Sequence, residues 1–357
     1  MSPQLSRAGE WFLRSGIQES NGGVARYYRA DLERNQPIST EITAYAVGGL
    51  LYLYRQTCDQ RYLDQALAAA RFLTGHAWDQ SAQVMPFEIA PSEFTYFFDC
   101  GIVIRGLLAA WRASHVEEFL AVATALGKSM TQDFVATEQG GYHPILSLPD
   151  KRPLPRDPLR WSRSSECYQL KAAMAWWDLS EATGDSSFHL FYDQALAHFL
   201  PTWSDFLPGH PEEAKVMDRL HAFLYFLEGL LPRAGDPQVE AALCSGIRYA
   251  AGNLHQVNSV FKRSDVYAQL LRIRLYAFWA GVEDLDLPAA LSEATMLEKF
   301  QMNSDDPRID GAFNFAFQGD ALSPYINPVS TAFSLQALDL WRIYQEGGKQ
   351  PDLDLLV

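Results

Sequence analysis

The chain has 357 residues, 48% of them apolar, which is enough for a large core and longer than most single domains. A net charge of −14 argues against a nucleic-acid surface, because phosphate contacts need a basic face. It leaves a small anionic substrate open, since local arginine clusters coexist with a negative total.

No run of about 18 apolar residues marks a membrane span. The N-terminal stretch lacks a charged segment leading into an apolar one, so a cytoplasmic protein is the expectation. Cys58, Cys100, Cys167 and Cys244 are dispersed and show no paired spacing, so neither a zinc site nor a disulfide framework is expected. No nucleotide, metalloprotease or serine-hydrolase motif is present, and no cofactor or metal is expected.

Taken in chain order, the apolar periodicity predicts twelve helices. One-sided patterns run over Ser6–Ser15, Arg61–His76, Val116–Phe134, Ser187–Phe206, Gln238–Leu254 and Pro288–Phe300. Between them lie patterns that are apolar around more of their circumference, as buried helices are. These open at Glu41, Asp99, Glu166, Asp218, Asp265 and Asn327, five of the six with an acid. The five acids are 58, 67, 52 and 47 residues apart, roughly one helical hairpin with its loops. An all-α ring of six hairpins, inner helices wrapped by outer ones, is predicted as one domain over residues 1–357. Its inner helix starts converge on one end as a carboxylate-lined bowl.

The connections repeat a theme of glycines followed by aromatic residues: Gly22-Gly-Val-Ala-Arg-Tyr-Tyr28, Gly140-Gly-Tyr-His-Pro144 and Asp310-Gly-Ala-Phe-Asn-Phe-Ala-Phe317. Short extended rim segments are predicted there, with Val84-Met-Pro-Phe-Glu-Ile89 as a degenerate copy. The longest polar connection, residues 147–163, holds Pro149, Pro153, Pro155 and Pro158 with five basic residues, and reads as a binding loop or lid.

This alternation, the glycine–aromatic loops and the stretch from Asp310 through Ser323-Pro-Tyr-Ile-Asn-Pro-Val-Ser-Thr331 to Leu338 resemble the (α/α)6 toroid superfamily. That group includes six-hairpin glycosidases, N-acylglucosamine 2-epimerase-like proteins, glucuronyl C5-epimerases and terpenoid cyclases. The resemblance implies the toroid fold over the whole chain. No single family's catalytic signature matches, so it assigns no catalytic residue.

Two carboxylates at suitable separation act as acid and base, or acid and nucleophile, on a glycosidic bond. Glu166 and Asp218 are the first candidate pair, Asp99 the third acid, and His221, one turn beyond Asp218, a second titrating group. The plain alternative is that each acid only complements the positive first turn of its helix. Glu41, Asp265, Tyr45, Tyr96, Tyr168, Tyr267, His143, Trp161, Phe313, Phe315, Tyr325 and Asn327 are candidate substrate contacts, the aromatics by stacking on sugar faces. Arg163 and Arg263 are candidate bidentate clamps for a uronate carboxylate, or else partners of the adjacent acids. The expected activity is that of a carbohydrate-active enzyme on a sugar or oligosaccharide: hydrolase, lyase or C5-epimerase. The alternatives are a terpenoid cyclase, although its acidic cluster is missing, and a non-catalytic glycan-binding toroid. Oligomeric state is not legible.

Overall fold

Ser39 stops the chain in an extended conformation, and its hydroxyl accepts from Ile42 N–H, starting helix α2 at Thr40–Thr57. Asp59 does the same for α3, accepting from Arg61 N–H at 3.0 Å, and Asn327 for α12, with Pro328 at the first helical position. Such punctuation builds twelve α-helices among the residues that this computed structural model describes: 3–136, 141–257, 259, 261–349 and 351–357. Gly140, the first residue of one predicted rim loop, lies outside them.

The inner helices are α2, α4 (Phe97–Ser114), α6 (Leu170–Thr183), α8 (Glu213–Leu230), α10 (Ser264–Trp279) and α12 (Pro328–Gln345). Each packs on the next, and α12 packs on α2, so the ring closes. The outer helices are α1 (Pro3–Arg14), α3 (Gln60–Phe72), α5 (Glu117–Asp133), α7 (Ser187–Phe199), α9 (Pro237–Val257) and α11 (Leu287–Glu298). The two sets differ in burial as the patterns predict. Every residue of α10 from Ser264 to Ala277 is buried, whereas α7 buries only Phe188, Tyr192, Ala195, Leu196 and Phe199. The inner helices also touch closely: a Cβ on Gly101 of α4 would lie 2.4 Å from the Ala172 carbonyl oxygen of α6. The fold is an (α/α)6 toroid.

Three small antiparallel sheets ornament the end where the inner helices start. β1 (Tyr28–Arg29) joins β2 (Arg34–Asn35) and β9 (Tyr325–Ile326), tying the first rim loop to the last. β3 (Phe94–Tyr96), β4 (Ile145–Ser147) and β5 (Arg152–Pro153) form the second, and β6 (Phe261–Arg263), β7 (Ala316–Gln318) and β8 (Ala321–Leu322) the third. β3 and β6 run directly into α4 and α10, which fixes where Asp99 and Asp265 begin their turns. At residues 84–89 only an isolated bridge from Val84 to Asp79 forms.

Two predicted helix openings differ. Asp218 lies inside α8, because Glu212–Met217 is good helix-forming sequence and winds further toward the rim. Glu166 precedes a 3-10 turn, Cys167–Gln169, that leads into α6.

The far mouth of the ring is filled by residues 353–357. Arg105 donates to the carbonyls of Leu356 (3.0 Å) and Leu353 (2.9 Å) and to Asp178 (2.7 Å). Arg272 donates to the Val357 carbonyl (3.0 Å), to Gln336 (2.8 Å) and to Glu228, whose second oxygen lies 2.9 Å from Lys171 Nζ. Burial draws the Lys171 ammonium down to about 7. This ionic layer, wholly inside the protein, is the base under the bowl.

Candidate functional site

At the start of α2 and α4, Glu41 and Asp99 come within electrostatic reach of each other. Asp99 is 4% exposed and its Oδ2 is buried without a hydrogen-bond partner. Burial first, and then the charge of Glu41, push its carboxyl well above the usual carboxylate range. Burial also lifts Glu41, to about 7, against the pull of Arg26. Neither acid caps its helix; Ser39 and the backbone of Tyr96 hold those positions. The pair has no cation bonded to it among the described residues. Arg26 pairs instead with Glu88 at 3.2 Å.

In the first turns of α8 and α10 one cation holds both acids. Arg263 Nε and Nη2 donate to the two oxygens of Asp265 (3.0 and 2.6 Å), and Nη1 donates to Asp218 (2.8 Å). These bonds occupy all three nitrogens of the guanidinium. The alternative that Arg263 neutralises its neighbouring acid is what the geometry displays. His221 Nδ1 lies 2.7 Å from Gln269 Oε1 and 3.7 Å from Asp265. Burial holds the imidazole neutral, down to about 4, against the opposing charge of Asp265. With Nδ1–H donating to the amide oxygen, the lone pair is on Nε2, for which no bond is made among the described residues.

Between these two clusters runs an aromatic floor. The Tyr225 ring lies 4.5 Å from His221, 4.6 Å from Phe98 and 6.3 Å from Phe333, and Tyr45 stands edge-on to Phe333 at 5.2 Å. The phenols of Tyr45 and Tyr225 are neighbours, and burial raises both far above the ordinary value. Tyr168 continues the floor to Phe98 (6.0 Å) and Trp161 (5.1 Å). The residue-by-residue reading overlooked Tyr225, Gln269, Phe98, Phe333 and Arg26. A signal existed for two of them. Tyr225 falls four residues after His221, and Gln269 four after Asp265, on the same helix faces.

The remaining candidates divide. Tyr96 is half-buried against Phe87 (5.1 Å), and burial and then Asp99 raise its phenol while Arg163 pulls it back. Glu166 is half-buried and raised by burial, with Arg219 and Arg156 pulling it back. Half-buried His143 is depressed by burial and by Arg156. Phe315 lies under Arg263 at 4.7 Å and beside Tyr325 at 6.2 Å, both at the rim. Three others are not brought to this group. Tyr267 turns to Phe300 (6.4 Å) at the end of outer helix α11, being two residues from Asp265 and so on the opposite side of α10. Phe313 is fully buried in the core. The Asn327 side-chain Oδ1 accepts from Val329 N–H at 2.8 Å as a helix cap.

Two grooves flank Asp218 and Lys215 at the rim. One, about 540 Å³, is lined by Arg160, Trp161, His210 and Arg219; the other, about 450 Å³, by Phe261, Phe315, Gln318 and Tyr325. A larger hollow of about 1030 Å³ lies on the outer ring along α5, where none of the five acids reaches it. The bowl rather than that hollow brings together proton-bearing groups and aromatic faces.

The fold is shared with enzymes that act on sugars. A sugar epimerase from a ruminal bacterium superposes with a TM-score of 0.71 at 14% identity, over 95% of this chain and 97% of that one. A D-mannose isomerase gives 0.70 at 9% identity, over 96% and 97%. An α-1,6-mannanase of Salegentibacter, in complex with α-1,6-mannotetrose, gives 0.61 at 11% identity, over 95% and 98%. No family model and no curated protein sequence matches the chain. The chain thus has the six-hairpin toroid fold of these enzymes. Among the described residues no helix is long and apolar enough to cross a membrane.

Proposed function

We propose that the bowl is the active site of a carbohydrate-active enzyme, carried on a single toroid domain, that moves protons on a sugar or oligosaccharide. One observation carries this reading: a carboxyl pair that retains a proton, Glu41 and Asp99, and a neutral imidazole, His221, are joined by the Tyr45–Tyr225 floor. An acid and a base at one end of the ring are what epimerisation or isomerisation of a sugar requires. His221 Nε2 takes the proton from the carbon beside the carbonyl of the open-chain sugar. Asp99 gives a proton to the carbonyl oxygen, forming an enediol. Returning a proton to the opposite face yields the epimer, and returning it to the neighbouring carbon yields the isomeric ketose or aldose. Tyr168, Trp161 and Tyr225 supply flat surfaces for the sugar ring. The epimerase and isomerase that share the fold support the reading only through architecture.

Hydrolysis is the second reading, favoured by the raised Asp99 carboxyl, which suits a general acid for a glycosidic oxygen. Asp218 and Asp265 are bonded to Arg263, which leaves Glu41 or Glu166 as the second carboxylate for hydrolysis. NMR of neutral and uronate disaccharides in deuterated water separates the two. Deuterium at a sugar carbon without cleavage supports proton transfer. New reducing ends without exchange replace it with hydrolysis, and no turnover of any sugar overturns both.

A further inference from the structure

Arg219, a cation of the rim, makes no ion pair among the described residues. Arg219, 5% exposed, sits at the wall of the groove beside Trp161, stacked 4.1 Å over Phe206. Its Nε and Nη2 donate to the Phe206 carbonyl (2.9 and 2.7 Å) and its Nη1 to the Pro158 carbonyl (3.4 Å). No ion pair to a carboxylate closes among the described residues, although Glu166 lies within reach of its charge. The seat is shaped for it. Gly209, with φ +59°, leaves the space in which a Cβ would lie 2.3 Å from Arg219 Nε.

A second cation follows two residues after Trp161 in the chain. Arg163 ends the 3-10 turn Trp161–Arg163; Trp161 lines the groove, while Arg163 acts on Tyr96 in the bowl. Half-buried, it has neither an ion pair nor a side-chain hydrogen bond among the described residues, unlike Arg26, Arg105, Arg263, Arg272 and Arg274, each of which holds a carboxylate. Two guanidinium groups with no carboxylate bonded to them among the described residues, in a protein with a net charge of −14, leave donors for an anionic ligand. Planar guanidinium groups bind carboxylate, sulfate and phosphate oxygens in pairs.

We propose that the groove between residues 157–163 and the first turns of α8 is the subsite for an anionic substituent of the sugar, with a uronate carboxylate as its first occupant. Arg219, in the groove wall, receives it, with Arg163, which follows the lining residue Ser162 in the chain, at the side toward the bowl. The subsite places the charged sugar unit at the edge of the bowl with its ring against Trp161. This rests on the reading of the bowl as a sugar site.

Calorimetric titration of the full chain at low salt tests it, with a glucuronate-containing disaccharide, its neutral counterpart, and the 6-sulfated and 6-phosphorylated forms of the latter. The uronate is expected to bind about tenfold tighter than the neutral sugar, as one charge-assisted pair gives. In Arg163→Gln and Arg219→Lys the preference shrinks while neutral binding stays. A sulfated or phosphorylated sugar that outbinds the uronate and loses its advantage in the same variants supports the anion subsite and identifies its occupant. Equal binding of neutral and charged sugars, or a preference unchanged in Arg163→Gln, overturns the subsite and leaves the proposed function standing. Failure of all four sugars to bind overturns both. Should Arg219→Lys not fold, Arg163→Gln alone decides.

Discussion

His221 Nδ1 and Gln269 Oε1 are 2.7 Å apart, a bond between α8 and α10 that fixes which imidazole nitrogen bears the hydrogen. The consequence is testable. His221→Asn removes the base and is expected to cost roughly 10²–10⁴ in kcat. Gln269→Leu keeps the imidazole but frees its tautomer, and is expected to cost about tenfold or more in kcat with little change in KM. Steady-state kinetics of the two variants checks this; an unchanged kcat in Gln269→Leu would remove the positioning role.

The Glu41–Asp99 pair predicts a particular pH dependence. Both carboxyls are raised in the folded protein, Glu41 to about 7, so the folded state binds more protons than the unfolded chain between about pH 4 and 7. Stability from this pair is full at the acidic end and is lost as pH rises through the folded values. Glu41→Gln and Asp99→Asn should flatten that loss and stabilise the protein at pH 8 by on the order of 1–2 kcal/mol, while lowering activity. Denaturant midpoints across pH measure it. A wild-type midpoint that rises from pH 5 to 8, with the variants parallel to it, would contradict the shared proton.

Not all of this was legible beforehand. The ring itself was, because the contrast between one-sided and all-round apolar helices is written into local sequence and survives any error in loop geometry. Asp99 and Asp265 were legible as rim acids because each follows a turn by a few residues. The start of α8 was not, since nothing in Glu212–Met217 stops a helix from winding past the expected boundary. Tyr267 was misplaced by counting neighbours along the chain: two residues on a helix are about 200° apart, so it cannot share a wall with Asp265. The fate of Arg263 was only half legible. Its bond to Asp265 is local, while the one to Asp218 spans 45 residues and depends on how two helices sit side by side.

The ionic layer beneath the floor was invisible for the same reason, and it makes a stability prediction. Glu228 holds both Lys171 and Arg272 inside the protein. Glu228→Gln takes away the buried carboxylate that Arg272 and Lys171 share and is expected to cost roughly 3–5 kcal/mol. Replacing Lys171 by Met in the same background should recover part of that loss. A double variant no more stable than the single one, by chemical denaturation, would show that Glu228 does not act through Lys171.

Gly101→Ala tests the close contact of the inner ring. The added Cβ would meet the Ala172 backbone, so α4 and α6 must separate, at a cost of about 1–3 kcal/mol for overpacking. Because Asp99 is two residues away, activity should fall with stability. A neutral effect on the thermal midpoint would mean the two helices stand further apart than described.

The most direct test of the central claim is deuterium exchange into sugar carbons, followed by NMR for the wild-type chain, His221→Asn and Asp99→Asn with the same set of neutral and uronate sugars. Proton transfer in the bowl predicts deuterium beside the carbonyl carbon, formation of an epimer or isomer without cleavage, and loss of both in each variant. Exchange that persists in both variants, or cleavage of a glycosidic bond without exchange, would contradict it.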